Sequence, residues 1–103
     1  MVNVIIYLKK EFIAEELVHF LLTEKLIAAA SIDENNVSYK IQDGNLHKDV
    51  YSVITAKSKA LLLNNIIKAV EERIGVEVLI NSIPIVGSNK IFDDLVRENT
   101  IRI

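Results

Sequence analysis

The sequence predicts an α+β domain whose elements run β-α-β-β-α-β, with a short helix appended. Three observations predict it. The spacing of apolar residues switches from a period of about two to one of about 3.6 and back. An Asp43-Gly44-Asn45 turn joins two long runs rich in β-branched and aromatic residues. Two further segments, one before and one after that pair, carry their apolar residues along one helical face.

Residues 2 to 8, VNVIIYL, are β-branched and aromatic and stop at a charged cluster, which predicts a central strand. From Glu11 to Lys25 the residues Ile13, Leu17, Phe20, Leu21 and Glu24 share one helical face. Glu11, Glu15 and Glu16 suit the positive end of that helix. The run LIAAASID at 26 to 33 fits a helix tail or a strand by periodicity alone. Keeping it helical would leave the first helix no strand to return into, so Leu26 and Ile27 are taken as the turn and Ala28 as the start of the second strand. Asn35-Asn36 marks an irregularity of the bulge type, and VSYKIQ leads into the turn at 43 to 45. Residues 46 to 57 return as the third strand, completing a long hairpin.

Ser58 offers an N-cap for a second helix over 58 to 74, with Leu63, Ile66, Ile67, Val70 and Ile74 on one face and Gly75 at its C-terminal end. Residues 76 to 86 predict a fourth strand, and Pro84, lacking an N–H, belongs at a sheet edge or strand end. Gly87-Ser88-Asn89 breaks it before a last helix over 90 to 98 through Ile91, Phe92, Leu95 and Val96. Two right-handed β-α-β crossovers in one antiparallel four-stranded sheet give a ferredoxin-like fold with both helices on one face. One domain is expected over residues 1–103.

Half of the residues are hydrophobic and the mean hydropathy is +0.29, more apolar material than so small a body can hide. Part of it is expected in a subunit interface. With no cysteine, disulfides and thiolate metal sites are excluded. Twelve basic against 14 acidic residues, without a basic stripe, argue against nucleic acid as a partner. The apolar run at 2 to 8 is too short for a membrane helix and no basic segment precedes it, so neither a signal peptide nor a membrane span is expected.

The chain has two histidines. His19 lies off the apolar face of the first helix and reads as a solvated histidine. His47 follows the turn, where Asp43, His47 and Asp49 together offer imidazole and carboxylate to a borderline metal, although a solvated hairpin tip explains the same residues. Lys57 precedes the second helix, where it could meet an anion held by that helix's N-terminal amides, or serve as a plain surface lysine. No serine or threonine sits in a nucleophile motif, and Gly44, Gly75 and Gly87 are too scattered for a phosphate loop. No enzyme activity is expected.

Several features together resemble the CutA family of divalent-cation tolerance proteins over nearly the whole chain. They are the N-terminal strand, a helix ending in a leucine-rich turn before Ala28-Ala29, Gly44 in the hairpin, Lys57-Ser58 where the family has Lys-Thr, and Ile83-Pro84 in the fourth strand. The resemblance implies a tight homotrimer with hairpins wrapping neighbouring subunits, an architecture shared with PII signalling proteins, and a cytoplasmic role in tolerance of a divalent metal such as copper. The chain also departs from the family. Ala30 stands where a cysteine is common, RIGVEV at 73 to 78 replaces a His-Pro-Tyr segment, YKIQ at 39 to 42 replaces a tryptophan-containing stretch, and Tyr51 stands at a usual glutamate. The expectation is a trimer whose metal site is degraded. Two alternatives are a PII-like regulatory trimer binding a small anionic effector between subunits near Lys57, and a ligand-free scaffold.

Overall fold

A computed structural model describes residues 1–103. The elements are β1 (Val2–Lys9), α1 (Ala14–Thr23), β2 (Ala29–Gln42), β3 (Asn45–Ser58), α2 (Leu63–Ile74), β4 (Leu79–Pro84) and α3 (Lys90–Asn99), with a 3₁₀ turn at Ala60–Leu62 before α2. The four strands form one sheet in the order β2-β3-β1-β4, every neighbouring pair antiparallel. This is the ferredoxin-like α+β arrangement that the element order predicts.

Alternation along β1 places the core. Val2, Val4, Ile6 and Leu8 point to the helix side and are buried, and their register partners on β3 include Ile54 and Ala56, both at 0% exposure. Leu17 and Leu21 of α1 and Ile66 and Val70 of α2 close over them in a single cluster. Leu26 and Ile27, buried in the α1–β2 turn, complete it. Each such side chain contributes about 1.5–3 kcal/mol of burial.

The ends of the helices differ from the sequence expectation. α1 begins at Ala14 rather than Glu11, because Phe12 N–H bonds Lys9 C=O in a tight turn and Ile13, extended and exposed, occupies the N-cap position. Its C-terminus closes with Leu26 N–H on Leu21 C=O and Lys25 N–H on Leu22 C=O, with Lys25 at φ 55°. That is a Schellman closure, with a lysine in the left-handed position that usually takes glycine. Ser58 is not an N-cap. It ends β3 fully buried, and its hydroxyl donates to Leu26 C=O at 2.6 Å, tying β3 to the α1–β2 turn. α2 therefore starts at Leu63 without a side-chain cap, and Gly75 ends it in the left-handed conformation at φ 85°. β4 is six residues rather than the expected eleven, ending at Pro84 on the sheet edge. α3 is capped by Asn89, whose Oδ1 accepts from Phe92 N–H at 3.0 Å.

The hairpin dominates the shape. Gln42 pairs with Asn45 across Asp43 (φ 53°) and Gly44 (φ 78°), a type I′ turn. Strands of 14 residues at ~3.4 Å per residue reach nearly the 46 Å of the molecule's long axis. Register shifts between Asp33 and Asn36, where Glu34 and Asn35 lie opposite Ser52 alone. The sequence irregularity is thus a β-bulge, and it reverses the parity of β2. Below it the even residues Ala30 and Ile32 share a face with Ala56 and Ile54; above it the odd residues Val37 and Ile41 share that face with Val50 and Leu46.

Candidate functional site

Three surfaces carry the side chains with chemistry to offer: the hairpin arm, the helix-free face of the sheet, and a cavity where β1 ends beneath the arm.

The arm is two-faced. On the face continuous with the helix side lie Val37 (46% exposed), Tyr39 (63%), Ile41 (69%) and Leu46 (68%), beyond the reach of either helix. On the other face Ser38 pairs with Asp49, Lys40 with His47 and Gln42 with Asn45. This alternation is what a two-stranded ribbon needs to bury one side and solvate the other.

The residues expected around a metal lie on or near this polar face but do not converge. Asp43 occupies the turn, His47 is exposed opposite Lys40, and Asp49 Oδ2 is 3.8 Å from Lys40 Nζ. No three His, Cys, Asp or Glu side chains of the chain gather closely enough to hold an ion. The Lys40 ammonium near the Asp49 carboxylate works against a cation there. The single chain therefore does not fit a copper centre at Asp43, His47 and Asp49. His19 is exposed on α1 above an open groove with Glu15 and Glu16, as a solvated histidine would be.

Lys57 also sits elsewhere than expected. It alternates with the inward-facing Ala56 and Ser58, so it projects from the helix-free face, opposite Asn3 of β1. The first amides of α2 are on the other side of the sheet, and the anion pairing with that helix does not form. Beside Lys57, Asn3 Oδ1 is buried without any hydrogen-bond donor. Ile5, Tyr7, Val53, Leu79 and Ile83 lie on the same face by alternation, with Leu79 and Ile83 exposed.

Sequence reasoning missed two groups. At the bulge, Lys10 Nζ donates to Glu34 Oε2 at 3.1 Å and to Ser52 Oγ at 3.2 Å, and also meets Glu34 C=O. Ser52 Oγ donates to Glu34 Oε2 at 3.1 Å. These bonds take up the backbone carbonyl and side chains at the point where the ladder is interrupted. The signal was Glu34 beside the suspected bulge. The second group is a cavity of about 180 Å³ at the end of β1, walled by Tyr7 and Tyr51, with Val76, Glu77 and Val78 of the α2–β4 connection and Lys40 of the arm. Tyr51 and segment 73 to 78 were noted only as departures from a pattern, and their proximity appears once β3 and the connection are placed.

A four-stranded antiparallel sheet with both crossover helices on one side, and a hairpin extended far past them, defines the class: a ferredoxin-like domain bearing a projecting arm. No model of a known protein family matches the sequence, and no curated protein matches it. Solved structures give the particular version of the fold, that of CutA1 divalent cation tolerance proteins. The divalent cation tolerance protein of Thermus thermophilus superposes with a TM-score of 0.86 at 24% identity, over 97% of this chain and 99% of that one. CutA1 from Oryza sativa gives 0.89 at 20% identity, over 99% and 94%. The protein from Archaeoglobus fulgidus, described as a periplasmic divalent cation tolerance protein, gives 0.82 at 22% identity, over 96% and 98%. At these identities the likeness establishes the fold.

Proposed function

We propose that the chain is a divergent CutA-like protein of the divalent-metal response, a cytoplasmic, non-enzymatic homotrimer in which the arm of each subunit lies against a neighbour. The observation that carries this reading is the arm's uncovered apolar face, Val37, Tyr39, Ile41 and Leu46, on a fold matching CutA1 proteins over nearly their whole length. Exposed apolar rows of this kind mark interaction surfaces.

Metal enters the proposal at the level of assembly. Asp43, His47 and Asp49 of one arm do not form a site, so copper held through His47 requires ligands from a second subunit. Ala30 offers no thiolate to help. The metal role is accordingly reduced relative to a thiolate-bearing relative. Native mass spectrometry of protein purified without chelator, then titrated with copper(II), tests both parts. The expected result is a trimer with weak metal uptake that His47→Ala abolishes. A monomer at micromolar concentration overturns the assembly, and stoichiometric copper unchanged by His47→Ala overturns the ligand assignment.

A further inference from the structure

We propose that the cavity walled by Tyr51 binds a small organic anion built on a single ring, of the size and charge of an aromatic monocarboxylate. This goes beyond the metal-response reading and does not depend on it.

Size sets the first limit. The cavity holds about 180 Å³, near the ~150 Å³ of an engineered apolar cavity that takes benzene and below the ~300 Å³ at which drug-sized sites begin. Its lining is largely apolar: Leu8 and Phe12 on one side, Val76, Val78 and Leu79 on another. Tyr7 and Tyr51 meet edge to face, centroids 5.8 Å apart at 84°, so a planar ring entering here finds aromatic partners already held in position.

The polar groups select the ligand's charge. Tyr51 is only 8% exposed, yet its hydroxyl joins none of the chain's side-chain hydrogen bonds. The hydroxyl is not among the buried atoms that lack a partner, so it reaches open space and is free to donate to a ligand in the cavity. Lys9 and Lys40 also line the cavity, against one acid, Glu77. Lys9 has no ion pair, and that of Lys40 with Asp49 is 3.8 Å long between half-exposed groups, too loose to hold it. Two ammoniums against one carboxylate favour an anion, and a phenol with two lysines can satisfy a carboxylate's oxygens.

The test is calorimetric and NMR titration of the intact protein with benzoate, with acetate and benzylamine as controls for the ring and the charge. Benzoate is expected to bind saturably at one site per chain and to shift tyrosine ring resonances, with both controls at least about tenfold weaker. Tyr51→Phe should weaken benzoate about tenfold, as loss of a hydrogen bond to a charged group does. Lys40→Met should weaken it about threefold, as a partly exposed charge does, and Glu77→Gln should tighten it. Circular dichroism verifies that each variant is folded. If Tyr51→Phe does not fold, Lys40→Met and Glu77→Gln carry the test. Failure of benzoate to saturate by about 10 mM, a weak-binding limit on the affinity scale, overturns the proposal, as do equal binding of benzoate and benzylamine or affinity unchanged in the folded variants.

Discussion

Placing lysines at Ile41 and Leu46 tests the proposal that the arm assembles the chain into a trimer. The two residues face each other across the hairpin tip and are 69% and 68% exposed in the single chain, so the subunit's own core does not use them. Full burial of a leucine or isoleucine is worth about 1.5–3 kcal/mol, and with two thirds of each side chain left to bury, each contributes about 1–2 kcal/mol to an interface. The pair contributes about 2–4 kcal/mol per arm and, over three arms, about 6–12 kcal/mol. At about 1.4 kcal/mol per tenfold, Ile41→Lys with Leu46→Lys should lower the trimerisation constant by at least about four orders of magnitude. Sedimentation velocity from about 1 to about 100 μM, which brackets micromolar association, reads this directly. Far-UV circular dichroism checks that the subunit keeps its secondary structure. A double variant that assembles like the parent over that range would refute the argument, because the most exposed apolar pair on the arm would then lie outside the interface.

Three further outcomes follow from packing within the chain. Ser52→Ala removes the hydroxyl that joins Lys10 to Glu34 at the bulge and should cost about 1–2 kcal/mol, read from the denaturant midpoint, with Lys10→Met costing less because its ammonium is partly solvated. Lys25→Gly relieves a left-handed backbone at the end of α1 and should raise stability by about 0.5–1 kcal/mol in thermal unfolding, and a loss instead would mean that the lysine side chain matters more than its φ. Ser58→Ala leaves Leu26 C=O without its buried donor and should lower stability by about 1–3 kcal/mol; an unchanged urea midpoint would show that the carbonyl finds another donor.

Most of the architecture was legible because local chemistry and tertiary role agree. Asp43-Gly44 specifies a type I′ turn, Gly75 ends α2 in the left-handed conformation, and the alternation in VNVIIYL buries one face of β1. Errors arose where a residue's local propensity was overruled by a distant partner. Ser58 has the composition of a cap, but the Leu26 carbonyl, 32 residues earlier, claims its hydroxyl. Ile13 fits the apolar period of α1, yet the turn held by Phe12 leaves it outside the helix. The chemistry was harder to read than the fold. Asp43, His47 and Asp49 are close in sequence but do not converge, whereas Tyr7, Tyr51 and Glu77 are far apart in sequence and meet around one cavity. Proximity along the chain was the misleading signal.

The bulge at Glu34-Asn35 also works as a phase shifter between two halves of one ribbon. Below it, the strand's alternation is locked to the core; above it, the same alternation is offset by one residue and free to serve a different surface. Were Glu34 and Asn35 each paired one to one instead of sharing Ser52, Ser38, Lys40 and Gln42 would come round to the side that Val37, Tyr39 and Ile41 now occupy, whereas deleting Asn35 would remove the bulge and leave Val37 opposite Val50. The side on which the arm's apolar row lies is therefore written in how one extra residue is absorbed as much as in the kinds of residue that follow it.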